Sequence, residues 1–291
     1  MERNAPRSGG TVLPFLTVVL IWGSTWIVIR DQLSTVPPSW SVCYRFAVAA
    51  IGMAVVARFS GASLRIGLRG LLFAAALGLA QFCLNFNFVY RAEGHITSGL
   101  VALVFALLVV PNSLFAWLFF GQRVSRTFII GSAIAIVGVA LLFLNEYRAA
   151  PAGAHDVLIG VALTLCALLS ASTANVMQAA RVARELPMTS LLTWAMAIGA
   201  VIDAVWAWIT SGPPVIEPRM GYWLGTLYLG LAGSVITFPL YFRLVQQMGA
   251  GRAAYTSVLI PVIAMAISTL MEGYRWTGLS IAGVALAMAG M

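Results

Sequence analysis

Lysine is missing from this 291-residue chain, and all 17 basic residues are arginine. Charge of either sign is scarce: charged types make up 9% of the chain, apolar types 61%, and the mean hydropathy is +0.94. A soluble globular fold of that composition would have nothing with which to cover its surface. Cysteine is nearly absent too. Cys43, Cys83 and Cys166 each sit inside a hydrophobic run, far apart in sequence, which speaks for packing rather than a disulfide, a metal site or a nucleophile. The only histidines, His95 and His155, fall at the ends of runs. There is no His-x-x-Glu, no pair of intramembrane aspartates, no serine with a base at membrane depth, and no Gly-x-Gly-x-x-Gly or phosphate-loop pattern. A membrane enzyme would need such a constellation. No enzyme activity, cofactor or metal is therefore expected.

What the chain does have is hydrophobic runs. They read as ten helices at roughly 12–30, 38–58, 67–90, 94–119, 127–145, 156–180, 187–209, 221–243, 251–271 and 276–291. Most match the ~20 residues that cross ~30 Å of hydrocarbon at 1.5 Å per residue. The first run follows Arg3 and Arg7, but it is too long for a signal-peptide core and more spans follow at once, so it reads as retained. The last run reaches Met291 without a polar flank, as a trimmed C-terminus would. Connecting loops are short, and the longest (about 146–156) contains Pro151 and Gly153.

The two halves of the chain resemble each other. Leu77-Gly78-Leu79-Ala80 returns 152 positions later as Leu229-Gly230-Leu231-Ala232, Phe86 as Phe238, Arg91 as Arg243 and Gly99 as Gly251. Gly121-x-Arg123 returns as Gly273-x-Arg275, and Gly131 with Gly138 as Gly283 with Gly290. Five spans per half is an odd number, so the second copy lies upside down relative to the first. Inverted repeats are the architecture of secondary transporters, with the substrate site near the bilayer midplane where the halves meet. The expected layout is a cytoplasmic segment (1–10), a first five-helix repeat (11–146), a periplasmic linker (147–155) and a second repeat (156–291).

Arginine placement orients this all-α fold. With the N-terminus inside, Arg3, Arg7, Arg58, Arg65, Arg69, Arg123, Arg126, Arg181, Arg184, Arg243 and Arg252 face the cytoplasm. Arg30, Arg91, Arg148, Arg219 and Arg275 face outward, and Arg45 lies within a span. Eleven against five obeys the positive-inside rule and returns the C-terminus to the cytoplasm. The net charge of +8 then reflects topology and contact with anionic membrane lipid, not nucleic-acid binding.

Polar residues within the spans supply the candidate site. Trp22, Ser24, Thr25 and Trp26 cluster in the first span. Gly78, Gln81, Asn85 and Val89 form a stripe on the third, and Gly230, Gly233, Thr237 and Tyr241 a matching stripe on the eighth, with Ser234 adjacent. By depth, Ser24, Thr25, Tyr44, Gln81 and Asn85 fall at or outside the midplane. Asn175, Trp194, Ser234, Thr237, Tyr255 and Ser257 fall at or inside it, giving two half-cavities of the kind alternating access uses. Substrate binding is assigned to Trp22, Ser24, Trp26, Tyr44, Gln81, Asn85, Asn175, Trp194, Ser234, Thr237 and Tyr255. The competing reading is that such groups are helix-to-helix glue, and it weighs least on Gln81 and Asn85, because an amide in hydrocarbon needs a partner or a wet cavity. The paired glycines suggest close packing of the fifth and tenth spans. Arg45 and Asp203, at similar depth, read either as an ion pair or as a substrate or proton site. With almost no titratable group near the midplane, a facilitative carrier is favoured.

The Ile21-Trp22-Gly23-Ser24 start of the first span, Pro37 with Arg45 in the second, Tyr90-Arg91 ending the third, Gly121-Gln122 and Met271-Glu272-Gly273 resemble the drug/metabolite transporter superfamily. The likeness is to its EamA-type exporters, spans the whole chain, and is nearest the YddG-type aromatic amino acid exporters. It implies a basket of ten helices, the fifth and tenth peripheral, exporting amino acids or related metabolites from the bacterial cytoplasm. The family's Gly-Glu pair after the fourth span reads Gly121-Gln122 here. The sequence thus points to an inner-membrane exporter of small amphipathic, amino acid-like molecules, with a monomer favoured. A narrow channel and a non-transporting receptor or scaffold are the alternatives. A channel would show no countertransport, and a receptor would be expected to carry extended cytoplasmic loops or tails.

Overall fold

A computed structural model describes residues 9–149, 154–248, 253 and 256–290, and among these every regular element is helical. Eight helices are long and apolar enough to cross a membrane: α1 (Gly9–Gln32), α2 (Pro38–Phe59), α3 (Gly67–His95), α4 (Ser98–Phe120), α5 (Arg126–Ala149), α6 (Ala154–Ala179), α7 (Met188–Ser211) and α8 (Met220–Gln247). Two shorter apolar helices follow, α9 (Thr256–Met271) and α10 (Gly278–Ala289). Most of the expected first turn of α9, including Tyr255, Gly251 and Arg252, lies outside the described residues, as do Arg3 and Arg7.

Local chemistry sets the helix ends. Pro38 opens α2 at a position where its missing N–H costs nothing. Thr277 caps α10: its hydroxyl accepts from the Ser280 N–H at 3.1 Å, and the Ser280 hydroxyl accepts from the Thr277 N–H at 2.8 Å. The Thr277 hydroxyl also donates to Asn145 Oδ1 at 2.6 Å, fastening α10 to α5. Gly121 and Gly273, counterparts in the sequence repeat, have φ of 65° and 69°. Each follows a helix end, α4 and α9, where the left-handed backbone costs any other residue a Cβ clash.

The repeat is visible in the backbone as well. α3 widens into a π-helix over Gly78–Asn85, and α8 does the same over Leu231–Ile236, the equivalent stretch 152 residues on. π segments frequently mark functional sites. Packing across the halves comes in matched pairs. α3 against α6 mirrors α8 against α1, α1 against α9 mirrors α6 against α4, and α3 against α7 mirrors α8 against α2. α2 with α7 and α5 with α10 pair with their own counterparts.

Glycine lets these helices approach closely. A Cβ on Gly78 would meet the Ala195 carbonyl of α7, and one on Gly230 would meet Val48 and the Arg45 carbonyl of α2. Gly131 and Gly138 of α5 lie against the backbone of Gly290 and Gly283, so the paired glycines do pack the fifth and tenth helices together. Outside this seam α5 presents Ile129 and Ile130 outward, a lipid-type surface.

Candidate functional site

A cavity lies at the junction of the halves. Other hollows lie at the surface, one of them on the lipid-type exterior and lined by residues such as Leu114, Trp117, Ile129 and Ile136. The central cavity differs in combining aromatic walls with several polar residues.

Its lining is built helix by helix. Trp22, Thr25, Trp26 and Ile29 recur on one face of α1 at the helical period. Arg45 comes from α2, and Gln81, Asn85, Phe86 and Val89 from α3, the first two inside the π segment. Phe105 precedes the 3₁₀ turn of α4 and Leu108 ends it, Ala171 and Asn175 lie one turn apart on α6, Phe238 and Tyr241 come from α8, and Ser257 from α9. The aromatic walls interlock, with Trp22 5.4 Å from Phe238 and 5.0 Å from Tyr241, and Trp26 5.3 Å from Phe105. The π segment of α8 has a direct role: Trp22 Nε1 donates to the Gly233 carbonyl at 3.1 Å, fixing the indole across the two halves.

Hydrogen bonding in the lining is incomplete. Trp26 Nε1, Arg45 Nη1, Gln81 Oε1, Asn85 Oδ1 and the Tyr241 hydroxyl are all buried without a hydrogen-bond partner. Each such group costs about 1–3 kcal/mol. Two are donors and two are acceptors, with a hydroxyl that can be either, so the cavity is complementary to a ligand that is polar in both senses and apolar elsewhere.

The structure brings together Trp22, Trp26, Gln81, Asn85 and Asn175 from the expected site, in one cavity rather than two half-cavities. It separates others. The Ser24 hydroxyl lies 2.7 Å from the Tyr228 hydroxyl, Tyr44 donates to the Val215 carbonyl at 3.1 Å, and Trp194 Nε1 donates to the Leu64 carbonyl at 2.8 Å. Ser234 and Thr237 are fully buried and return their hydroxyls to the carbonyls of Leu229 and Gly233. Tyr255 lies outside the described residues. Phe105, Leu108 and Ala171 were not foreseen, because apolar residues in an apolar helix carry no signal.

Arg45 and Asp203 do not form an ion pair. Asp203 Oδ1 accepts from Asn87 Nδ2 at 2.7 Å. Asn87 Oδ1 in turn accepts from Arg91 Nη1 at 2.8 Å and from the Ser39 hydroxyl at 2.6 Å, and Arg91 Nη2 donates to Ser39 Oγ at 2.9 Å. Arg91, expected outside, is therefore the charge that balances Asp203. Asp203 is also not the sole carboxylate within the bundle. α3 continues to His95, past its expected end near residue 90, and buries Glu93 completely with neither carboxylate oxygen hydrogen-bonded. Nearby, Glu272 accepts from Ser98 Oγ at 2.6 Å and from Ser268 Oγ, and lies 3.7 Å from Arg30 Nε, tying the ends of α1, α4 and α9 together.

Both halves of the sequence match the EamA-like transporter family, over residues 10–144 and 158–291. The chain belongs to that family. The EamA match also establishes the two-repeat organisation. Protein PagO of Salmonella typhimurium is 26% identical over 264 residues, covering 89% of this chain and 84% of that one. A probable amino-acid metabolite efflux pump of Escherichia coli K12 is 27% identical over 287 residues, covering 95% and 91%. The uncharacterized inner membrane transporter YedA of the same strain is 28% identical over 256 residues, covering 87% and 80%. A solved crystal structure superposes with a TM-score of 0.72 at 18% identity, covering 98% of this chain and 96% of that one, a likeness of fold. With its long apolar helices, this EamA protein is a multi-pass transporter of the bacterial inner membrane.

Proposed function

We propose that the chain is a ten-span carrier, with both termini in the cytoplasm, that exports small amphipathic metabolites by alternating access. Amino acids with aromatic or apolar side chains are the proposed substrates. The observation that carries this reading is the central cavity. Five buried polar atoms without a hydrogen-bond partner belong to residues that line a pocket walled by Trp22, Trp26, Phe105 and Phe238, at the junction of two repeats. The indole and phenyl rings take the apolar part of the ligand, and Gln81 and Asn85 take its polar head. Relatives named as probable amino-acid metabolite efflux pumps support the substrate class. The repeat boundaries 11–146 and 156–291, the 147–155 linker and the monomeric state belong to the same proposal.

Counterflow in proteoliposomes across a panel of amino acids tests it. Saturable uptake of labelled substrate driven by unlabelled internal substrate is expected. Unsaturable flux without countertransport would indicate a channel, and no flux a receptor or scaffold. Topology is tested by single cysteines at Arg3, Arg184 and Pro151. Impermeant thiol reagent is expected to reach the first two only from the cytoplasm and the third only from outside, and the reverse pattern refutes the orientation.

A further inference from the structure

Within the proposed transport site, and resting on that reading, the structure assigns recognition of the substrate carboxylate to Arg45. We infer that the carboxylate is obligatory whereas a charged ammonium is not. Arg45 is 1% exposed and lines the central cavity. Its guanidinium carbon sits 4.2 Å from the Phe86 ring centroid and 5.3 Å from that of Phe46, so aromatic rings take up the face of the group. That leaves the edge, where the N–H donors point in the plane. Nε reaches Ser234 Oγ only at 3.5 Å, and Nη1 has no partner. Among the described residues no carboxylate lies within ion-pair reach; the nearby ionisable groups are Tyr90, whose hydroxyl interacts with the guanidinium, and Glu93.

A buried cation with its face covered and an N–H on its edge left without a partner is a receptor for a planar anion. Arginine binds carboxylate through two parallel N–H donors, and such charge-assisted bonds are roughly twice as strong as neutral ones. Trp26 Nε1 is a second unpartnered donor in the same cavity. For the nitrogen end of the substrate the cavity offers neutral oxygens, among them Gln81 Oε1, Asn85 Oδ1 and the Tyr241 hydroxyl, and no aspartate or glutamate is among the described residues that line it. Neutral acceptors serve an amide N–H as well as an ammonium. The substrate class is thus an aromatic or apolar monocarboxylate, with free amino acids and their N-acyl forms both accepted.

The test is counterflow of labelled phenylalanine in proteoliposomes containing the full chain, corrected for protein-free liposomes. Phenylalanine, N-acetylphenylalanine, 3-phenylpropionate, phenylalaninamide and phenethylamine are supplied in turn as the exchanging compound. The three carboxylates are expected to exchange within about threefold of one another, and the two compounds lacking a carboxylate at least about tenfold more weakly, as loss of a charged hydrogen bond implies. Arg45→Gln is expected to lower the carboxylates to the level of the amide, and Arg45→Lys, which keeps the charge without the fork, to fall between. If phenylalaninamide or phenethylamine exchanges as well as phenylalanine, the exporter reading stands and the role of Arg45 falls. The same follows if folded Arg45→Gln leaves the preference intact. Should Arg45→Gln not fold, the wild-type panel alone decides. If no compound exchanges and none shifts the protein's thermal stability, the exporter reading fails and takes the inference with it.

Discussion

Two polar regions lie within the same helical bundle, and they differ in one respect. Around Asn87, the groups Ser39, Arg91 and Asp203 come from three helices and bond one another at 2.6 to 2.9 Å. Around Gln81 and Asn85, within two turns along the same α3, Gln81 Oε1, Asn85 Oδ1, Trp26 Nε1 and Arg45 Nη1 have no hydrogen-bond partner. A polar residue in a membrane helix is ambiguous by type alone, since packing and binding both use Ser, Asn and Gln. What separates the two uses here is the cluster of side-chain bonds joining helices in the first region, even though Asp203 Oδ2 is itself buried without a hydrogen-bond partner. The first region holds α2, α3 and α7 together, and the second waits for a ligand.

The largest effect should come from breaking the satisfied region. Asp203→Ala removes the acceptor for Asn87 and the charge that balances Arg91, and loss of one partner from a buried network is expected to cost about 3 kcal/mol, read as a fall in thermal stability of the detergent-purified protein. Replacing Arg91 as well is expected to recover part of it, whereas replacing Arg45 adds an independent loss. Coupling of Asp203 to Arg45 rather than Arg91 in that cycle would contradict the geometry.

A smaller effect sharpens the contrast at Trp22, which belongs to both regions by type: it lines the cavity and its indole is bonded. Trp22→Phe keeps a ring and forfeits the bond to the Gly233 carbonyl, an expected loss of about 1 kcal/mol in stability with a parallel weakening of transport. At Asn85 stability should barely move. Asn85→Leu replaces an unmet buried acceptor with an apolar group of similar size, so the thermal midpoint is expected to stay level or rise. A fall comparable to that of Asp203→Ala would place Asn85 among the structural groups.

Much of the architecture was legible in the sequence because it is periodic. The 152-residue offset that aligned Gly121 with Gly273 reappears as two left-handed helix ends, and the one that aligned Gly78 with Gly230 reappears as two π segments packed on opposite halves. The site was only partly legible. Periodicity assigns a face to Trp22, Trp26, Gln81 and Asn85, but it does not say which neighbour a side chain meets. Ser24 and Tyr44 therefore met protein partners instead of the cavity, and Trp194 turned to the Leu64 carbonyl. Equal depth suggested an Arg45–Asp203 pair, yet depth leaves azimuth free, and the two charges found different company. Glu93 was hidden by a helix end set near residue 90, where hydropathy falls, although packing carries the helix on to His95.

The most direct test of the central claim compares transport per folded molecule for Asn85→Leu and Asp203→Asn in the same proteoliposome counterflow assay. Asn85→Leu is expected to lose at least about tenfold, the equivalent of one hydrogen bond to the transported molecule. Asp203→Asn keeps an acceptor for Asn87 and is expected to remain within about twofold of wild type. Undiminished counterflow in Asn85→Leu together with its loss in Asp203→Asn would contradict the account, moving the transport site to the Asp203 network and leaving Asn85 as helix packing.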